Sequence, residues 1–195
     1  MEAASAAAFG LVLAACAGLR AFLPVFGASV AIRMLSLEVP PSLAWMASTT
    51  TIIIFGVATV LEVLGDKIPL LDHLLDTVQT FTKPGLAVLA AIPFVHQLAP
   101  EHSVALAIIA GAPLALGVHT AKASARVGST AFTGGLANPV ISLIEDVAAV
   151  VLIILGLIAP VLALLLAVAL LWKLVSYARK MARRRAVAGG GAGPG

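Results

Sequence analysis

The chain has 195 residues, of which 61% are hydrophobic and only 11% charged, with a formal net charge of +3. Soluble domains carry about 25% charged residues, so this composition excludes an ordinary water-soluble domain and leaves an all-α, multi-pass bundle of membrane helices. The single cysteine, Cys16, excludes intramolecular disulfides and thiolate clusters, and the basic tail lacks the interleaved aromatics of a nucleic-acid binder.

Hydropathy and Gly/Pro punctuation place about six spans of roughly 20 residues in the chain. The first covers residues 6–32. Met1–Glu2 carries no basic n-region and Arg20 interrupts the apolar run, so this reads as a retained span and not a cleaved signal. Within it, Pro24 lacks the N–H that a continuous helix needs, which predicts a kink or break near Arg20. The second span covers 43–64 and stops at Gly65 and Pro69. Leu71, Leu74, Leu75 and Val78 then form one helical face and Asp72, Asp76 and Gln79 the other. That pattern predicts a short amphipathic helix over 69–82, lying on the membrane surface or packed under the bundle. Lys83–Pro84–Gly85 opens a short third span to about Gln97, near re-entrant length. The fourth runs from Ser103 to Arg126, the fifth from Asn138 to Ile158, and the sixth from Pro160 to Tyr177. One transmembrane domain thus covers 1–178, and 179–195 form a basic, then Gly-rich, disordered tail.

Lys67, Lys83, Lys122, Arg126 and the C-terminal basic cluster fall on one side of such a bundle, and only Arg33 on the other. The positive-inside effect then puts both termini in the cytoplasm, in a bacterial inner (plasma) membrane. Spans one to three and four to six align at a fixed offset, Gly10 with Gly111 and Gly27 with Gly128, with Arg20 one position from the partner of Lys122. An odd number of spans per half would make this an inverted repeat. Six short spans leave little room for a solute path in a monomer, so the expected partners are the lipid bilayer and a second copy of the chain.

The most polar stretch of the apolar bulk runs from Gly117 to Val147. His119, Lys122 and Arg126 share a helix face at i, i+3 and i+7, and Asn138, Ser142 and Glu145 repeat the pattern, with Asp146 beside them. Asn138–Pro139 reads as a helix start with asparagine as the cap. Each ionisable group at a helix centre costs ~2.5–3.5 kcal/mol on insertion scales, so each needs a reason. Arg20 neutralises an anionic solute or pairs with a carboxylate. Glu62 and Asp66, one turn apart, join Glu145 and Asp146 in a carboxylate group that binds a cation, relays protons or salt-bridges to Lys122 and Arg126. His119 is a candidate proton shuttle or a hydrogen-bonded core histidine. The expected solute or ion site is Arg20, Glu62, Asp66, His119, Lys122, Asn138, Glu145 and Asp146. The sequence calls for no catalytic residue, metal or cofactor, since no H-x-x-x-H or H-E-x-x-H spacing occurs. Small residues at Ala14, Gly18 and Ala21, and at Ala115, Ala121 and Ala125, predict close helix approach.

Four stretches carry a family resemblance: A-G-L-R-A-F-L-P (17–24), E-V-L-G-D-K-I-P (62–69), H-T-A-K-A (119–123) and N-P-V-I-S-L-I-E-D (138–146). Together, over about residues 10–170, they resemble the bacterial integral membrane family named domain of unknown function 4126. The resemblance implies no activity; it implies that the four stretches belong to one site or scaffold.

The leading expectation is a small transporter or channel for a charged solute or ion, with Glu62 or Glu145 as proton carrier. A membrane-embedded enzyme acting on lipid phosphates, with Lys122 and Arg126 on the phosphate, is the second reading. A structural or accessory subunit is the third.

Overall fold

A computed structural model of the chain describes the backbone of residues 1–66, 69–134 and 136–189, and the side chains of those residues except 69–76, 170, 174, 177–178 and 181–189. Among the described residues the chain is all helical, with no strand. The order is α1 (Ala3–Leu19), α2 (Leu23–Met34), a 3₁₀ turn (Pro41–Ala47), α3 (Thr49–Gly65), α4 (Pro69–Val95), α5 (Ser103–Leu106), a π-helical segment (Ala107–Gly111), α6 (Ala112–Thr133), α7 (Asn138–Ile158) and α8 (Pro160–Gly189).

The α1 helix is the axis of the bundle. It packs against α2, α4, α6, α7 and α8 and buries thirteen of its seventeen residues, from Ala6 to Leu19. Its Ala/Gly-rich sequence explains why so many neighbours fit. A Cβ added at Gly18 would lie 2.4 Å from the Ala115 carbonyl oxygen, and one at Gly156 would lie 2.7 Å from the Phe9 ring. Phe9 in turn meets Phe94 edge to face, with centroids 4.8 Å apart. The small-residue pattern thus marks a true α1–α6 approach.

Large apolar side chains cover the outside. Ile53, Ile54, Val57 and Leu61 on α3, Val140, Leu143, Ile144, Val147 and Ile154 on α7, and Leu162, Leu165 and Trp172 on α8 are all exposed. Arg20, Glu62, Asp66, Lys83, Lys122, Arg126 and Glu145 are buried inside. An apolar exterior around a polar interior is the arrangement lipid demands, since an exposed ion or unpaired peptide group is costly there.

Among the described residues, three helices are long and apolar enough to cross a membrane: Thr77–Val95, the continuous Pro100–Thr133, and Asn138–Ile158. A fourth crossing is available if Pro41–Ala47 and Thr49–Gly65, bent by 65° at Ser48, count as one span. The fold is therefore a multi-helix membrane bundle with three or four full-length spans by this measure. The remaining apolar helices, Ala3–Leu19, Leu23–Met34 and Pro160–Lys173, are shorter, so six full spans are not shown.

The first expected span does break. Pro24 cannot donate to the carbonyl of residue 20, and its ring would collide with it. Arg20 is accordingly extended (φ −132°, ψ 127°), and α2 restarts at Leu23 with proline in its first turn. Pro113 is accommodated differently, by the wide π turn immediately before α6.

The third span corrects the sequence reading. Residues 69–82 are not a separate surface helix, and 83–97 are not a short re-entrant segment, because α4 runs unbroken for 27 residues with Pro84 and Pro93 inside it. In the part of its polar stripe whose side chains are described, Gln79 and Lys83 are buried, while Val78 is exposed. The side chains of Leu71, Asp72, Leu74, Leu75 and Asp76 lie outside the described residues, as do Lys67 and the Gly-rich end of the tail.

Candidate functional site

The break in the central helix leaves orphan peptide groups, and the site is built on them. The carbonyl of Leu19, which the break deprives of its i+4 donor, accepts a hydrogen bond from Lys122 Nζ at 3.2 Å. The N–H groups of Ala21 and Phe22 donate to Glu62, at 2.7 Å to Oε1 and 3.1 Å to Oε2. A cation thus meets the negative end of α1 and an anion the positive end of α2, as the helix dipoles require. Gln79 Nε2 adds a third bond to the Glu62 carboxylate at 2.8 Å.

Around Arg20 the charges form one network. Its guanidinium pairs with Asp66, which follows α3, and with Asp146 on α7, and it donates to Ser142 Oγ at 3.0 Å. Arg126 Nη2 stands 3.4 Å from both Asp66 Oδ2 and Glu145 Oε2. Lys122 Nζ is 3.2 Å from Glu145 Oε2 and 3.9 Å from Asp66 Oδ2. Four elements deliver these groups: the α1–α2 break, the end of α3, α6 and α7. At 1.5 Å per residue, Glu145 lies ~10 Å along α7 from its start, so the network sits within the bundle and not at its rim.

A second polar group joins α4 to α6. Thr80 Oγ1 is 3.0 Å from Nε2 of His119, and Lys83 Nζ is 3.2 Å from its Nδ1. An ammonium can only donate, so Nδ1 is the acceptor and Nε2 carries the proton in this arrangement.

Among the described side chains, the cations Arg20, Lys83, Lys122 and Arg126 share this interior with the carboxylates Glu62, Asp66, Glu145 and Asp146. Pairing of opposite charges is what makes burial tolerable, since an unpaired ion in a low-dielectric interior costs several kcal/mol. Among the described residues no three His, Cys, Asp or Glu side chains stand together as a metal site.

Seven of the eight expected site residues enter this polar interior: Arg20, Glu62, Asp66, Lys122, Glu145 and Asp146 around the break, and His119 beside it. Asn138 does not. It is the first residue of α7, after Ala137, so its side chain does not cap the helix, and its Nδ2 instead donates to Thr130 Oγ1 at 3.1 Å. The expected list omitted Lys83, Gln79, Arg126 and Ser142. For Lys83 a signal existed: positions 72, 76, 79 and 83 repeat at i, i+4, i+7 and i+11, so the polar stripe of α4 continues to the lysine.

A helical membrane protein with an ionic network buried at a broken central helix is the class these features define. The family model described as "Domain of unknown function (DUF4126)" matches residues 7–180, and the chain belongs to that family. No curated protein and no solved structure matches it.

Proposed function

We propose that the protein carries a small charged solute or ion across a membrane, with the Arg20 network as its site. The observation that carries this reading is the position of Arg20: a fully buried arginine at an interruption of the most buried helix, facing carboxylates from two other elements. Discontinuous helices supply transporters with peptide groups and dipole ends for ion and solute contacts. The proposal includes two inverted three-span halves. Arg20 and Lys122 would occupy related positions, and both reach Asp66. It also includes a bacterial inner membrane, cytoplasmic termini and a homodimer. Glu145, held by Lys122 and Arg126, is the proposed proton carrier; Glu62, with three donors on its carboxylate, is assigned to holding the break.

The test is charge movement in vesicles containing the purified chain, followed with potential- and pH-sensitive dyes over a panel of small ions. Movement that disappears in Arg20→Gln and loses its proton component in Glu145→Gln supports the reading. A wild-type chain that moves nothing overturns it.

One observation favours a second reading. Buried cations and carboxylates paired with one another, as Arg20 is with Asp66 and Lys122 with Glu145, are also what a purely structural network looks like. A scaffold subunit predicts that the same substitutions lower stability or partner binding and leave every flux untouched. No geometry specifically favours the lipid-phosphate enzyme.

A further inference from the structure

We infer that the seam between α6 and α7 is the entrance to the Arg20 network: it is shut in this structure at Asn138 and Thr130, and it parts to admit water, and with it the solute, from one side of the membrane. The inference rests on the transport reading above for the solute and not for the water.

The two helices carry facing polar stripes that run out to their ends. On α6 the stripe of Lys122 and Arg126 continues through Ser129 and Thr130, and on α7 Glu145 is preceded at helical spacing by Ser142 and Asn138. Asn138 donates to Thr130 at the outer end, and Arg126 meets Glu145 about 10 Å deeper, at 1.5 Å per residue. The apolar groups beside the stripes point outward: Val127, Val140, Leu143 and Ile144 are all exposed. Lipid therefore has its own faces on both helices, and the polar faces are left for water.

The seam is also the weakest boundary beside the network. Helix α6 packs mainly on α1, α4 and α8, and α7 on α1 and α8, while α6 and α7 meet each other over little of their length. Two atoms in the seam make its closed form costly. Ser129 Oγ and Asn138 Oδ1 are out of reach of solvent and have no hydrogen-bond partner among the described residues. Buried polar groups left in this way lose free energy that entering water restores. A boundary with little packing to break and orphaned groups to satisfy is one that opens locally.

Exposure within the network gives the direction. The side chains of Arg20, Asp66 and Lys122 keep only 1–2% of their surface accessible, whereas Arg126 and Glu145 keep 9% and Asp146 keeps 14%. The accessible members flank the seam. In the opposite direction along α1, Leu13, Phe9, Phe94 and Met46 are fully buried in one apolar cluster, which closes the other route.

The experiment is the reaction of single thiols with a charged, membrane-impermeant methanethiosulfonate, added to vesicles containing the full chain. Ser142→Cys places a thiol below the mouth of the seam, Ala28→Cys one in the apolar cluster and Val140→Cys one on the lipid face; wild type, whose Cys16 is fully buried, is the blank. Ser142→Cys should react roughly tenfold faster than either control, since thiols in apolar surroundings stay protonated and unreactive. It should react only from the side to which α8 returns. Adding Thr130→Val removes the bond that shuts the mouth, so the Ser142→Cys rate should rise roughly three- to tenfold, the equilibrium equivalent of one hydrogen bond. A Ser142→Cys thiol that is as inert as Ala28→Cys, or that reacts only from the other side, overturns the inference. A rate that Thr130→Val leaves unchanged overturns it as well. If the cysteine variants do not fold, transfer of magnetisation from water to the wild type in bilayers carries the test. Faster transfer to Ser129 and Asn138 than to Ala28 supports the entrance, and equally slow transfer overturns it. Labelling is read without flux, so the two readings fail separately. An open seam in a chain that moves nothing overturns transport alone, and flux through a chain whose seam stays dry overturns the entrance alone.

Discussion

Lys122 Nζ lies 3.2 Å from Glu145 Oε2, and this contact ties α6 to α7 deep in an interior that also holds the Leu19 carbonyl on the same ammonium. Lys122→Met therefore strands a buried carboxylate and a carbonyl together. Its cost should be about 3 kcal/mol, toward the low end for breaking a buried pair, because Arg126 still faces Glu145. Adding Glu145→Gln removes the stranded charge, so the double variant should cost less than the sum of the singles by about 1–3 kcal/mol. Equilibrium unfolding of the four proteins in detergent gives the coupling. Strict additivity would show that the two groups do not interact.

Glu62 makes a different prediction because its principal partners are peptide groups. Glu62→Ala leaves the N–H groups of Ala21 and Phe22 without their acceptor, at about 1–3 kcal/mol each where water cannot replace it. Glu62→Gln keeps one oxygen acceptor but turns an NH₂ toward a donor, so its cost should be smaller. Hydrogen exchange at Ala21 and Phe22 isolates the effect: both amides should exchange faster in Glu62→Ala. Unchanged protection there would mean that the carboxylate does not hold the break.

The break itself was legible in the sequence because its cause is local: Pro24 acts on the carbonyl four residues before it. The Lys122–Glu145 side of the network was legible too, since helical spacing lines up 119, 122 and 126 on one face and 142 and 145 on the next helix. Glu62 was visible as a charge in an apolar run, but its backbone partners were not, because a freed N–H has no residue type to announce it. Gln79 and Lys83 were misplaced for another reason. Amphipathic spacing shows which residues share a face, and only the surroundings decide which way that face points; in a bundle with an apolar exterior it points inward. Asn138 shows the limit of local rules at a terminus. A start one residue earlier than expected puts Ala137 in the capping place and sends the amide to Thr130.

His119 between Thr80 and Lys83 gives a spectroscopic prediction. With Nδ1 accepting from the lysine, ¹⁵N resonances of the ring should report a neutral imidazole protonated at Nε2. A proton on Nδ1 would remove the lone pair that Lys83 uses and set two donors 3.2 Å apart. In Lys83→Met the Nδ1 acceptor loses this donor, and the ring's tautomer signals should shift. A ring protonated at Nδ1 in the wild type would contradict the assignment.

Packing at the bundle axis predicts opposite outcomes for two glycines. At Gly18 a new Cβ would stand 2.4 Å from the Ala115 carbonyl oxygen and 2.5 Å from Val118 Cβ, and neither atom is the far end of a flexible side chain. Gly18→Ala must therefore push α1 and α6 apart, at about 1–3 kcal/mol for an overpacked core. The displacement acts two residues before Arg20, so it should also disturb the break and the Lys122 bond to Leu19. Gly85, in the interior of α4, meets nothing within 4 Å of an added Cβ and has no left-handed backbone to relieve. Gly85→Ala should stabilise by up to about 1 kcal/mol through helix propensity and a less flexible unfolded chain. Thermal unfolding of the pair in one detergent checks both signs, and a Gly18→Ala protein as stable as wild type would mean that α1 and α6 are not in close contact at that point.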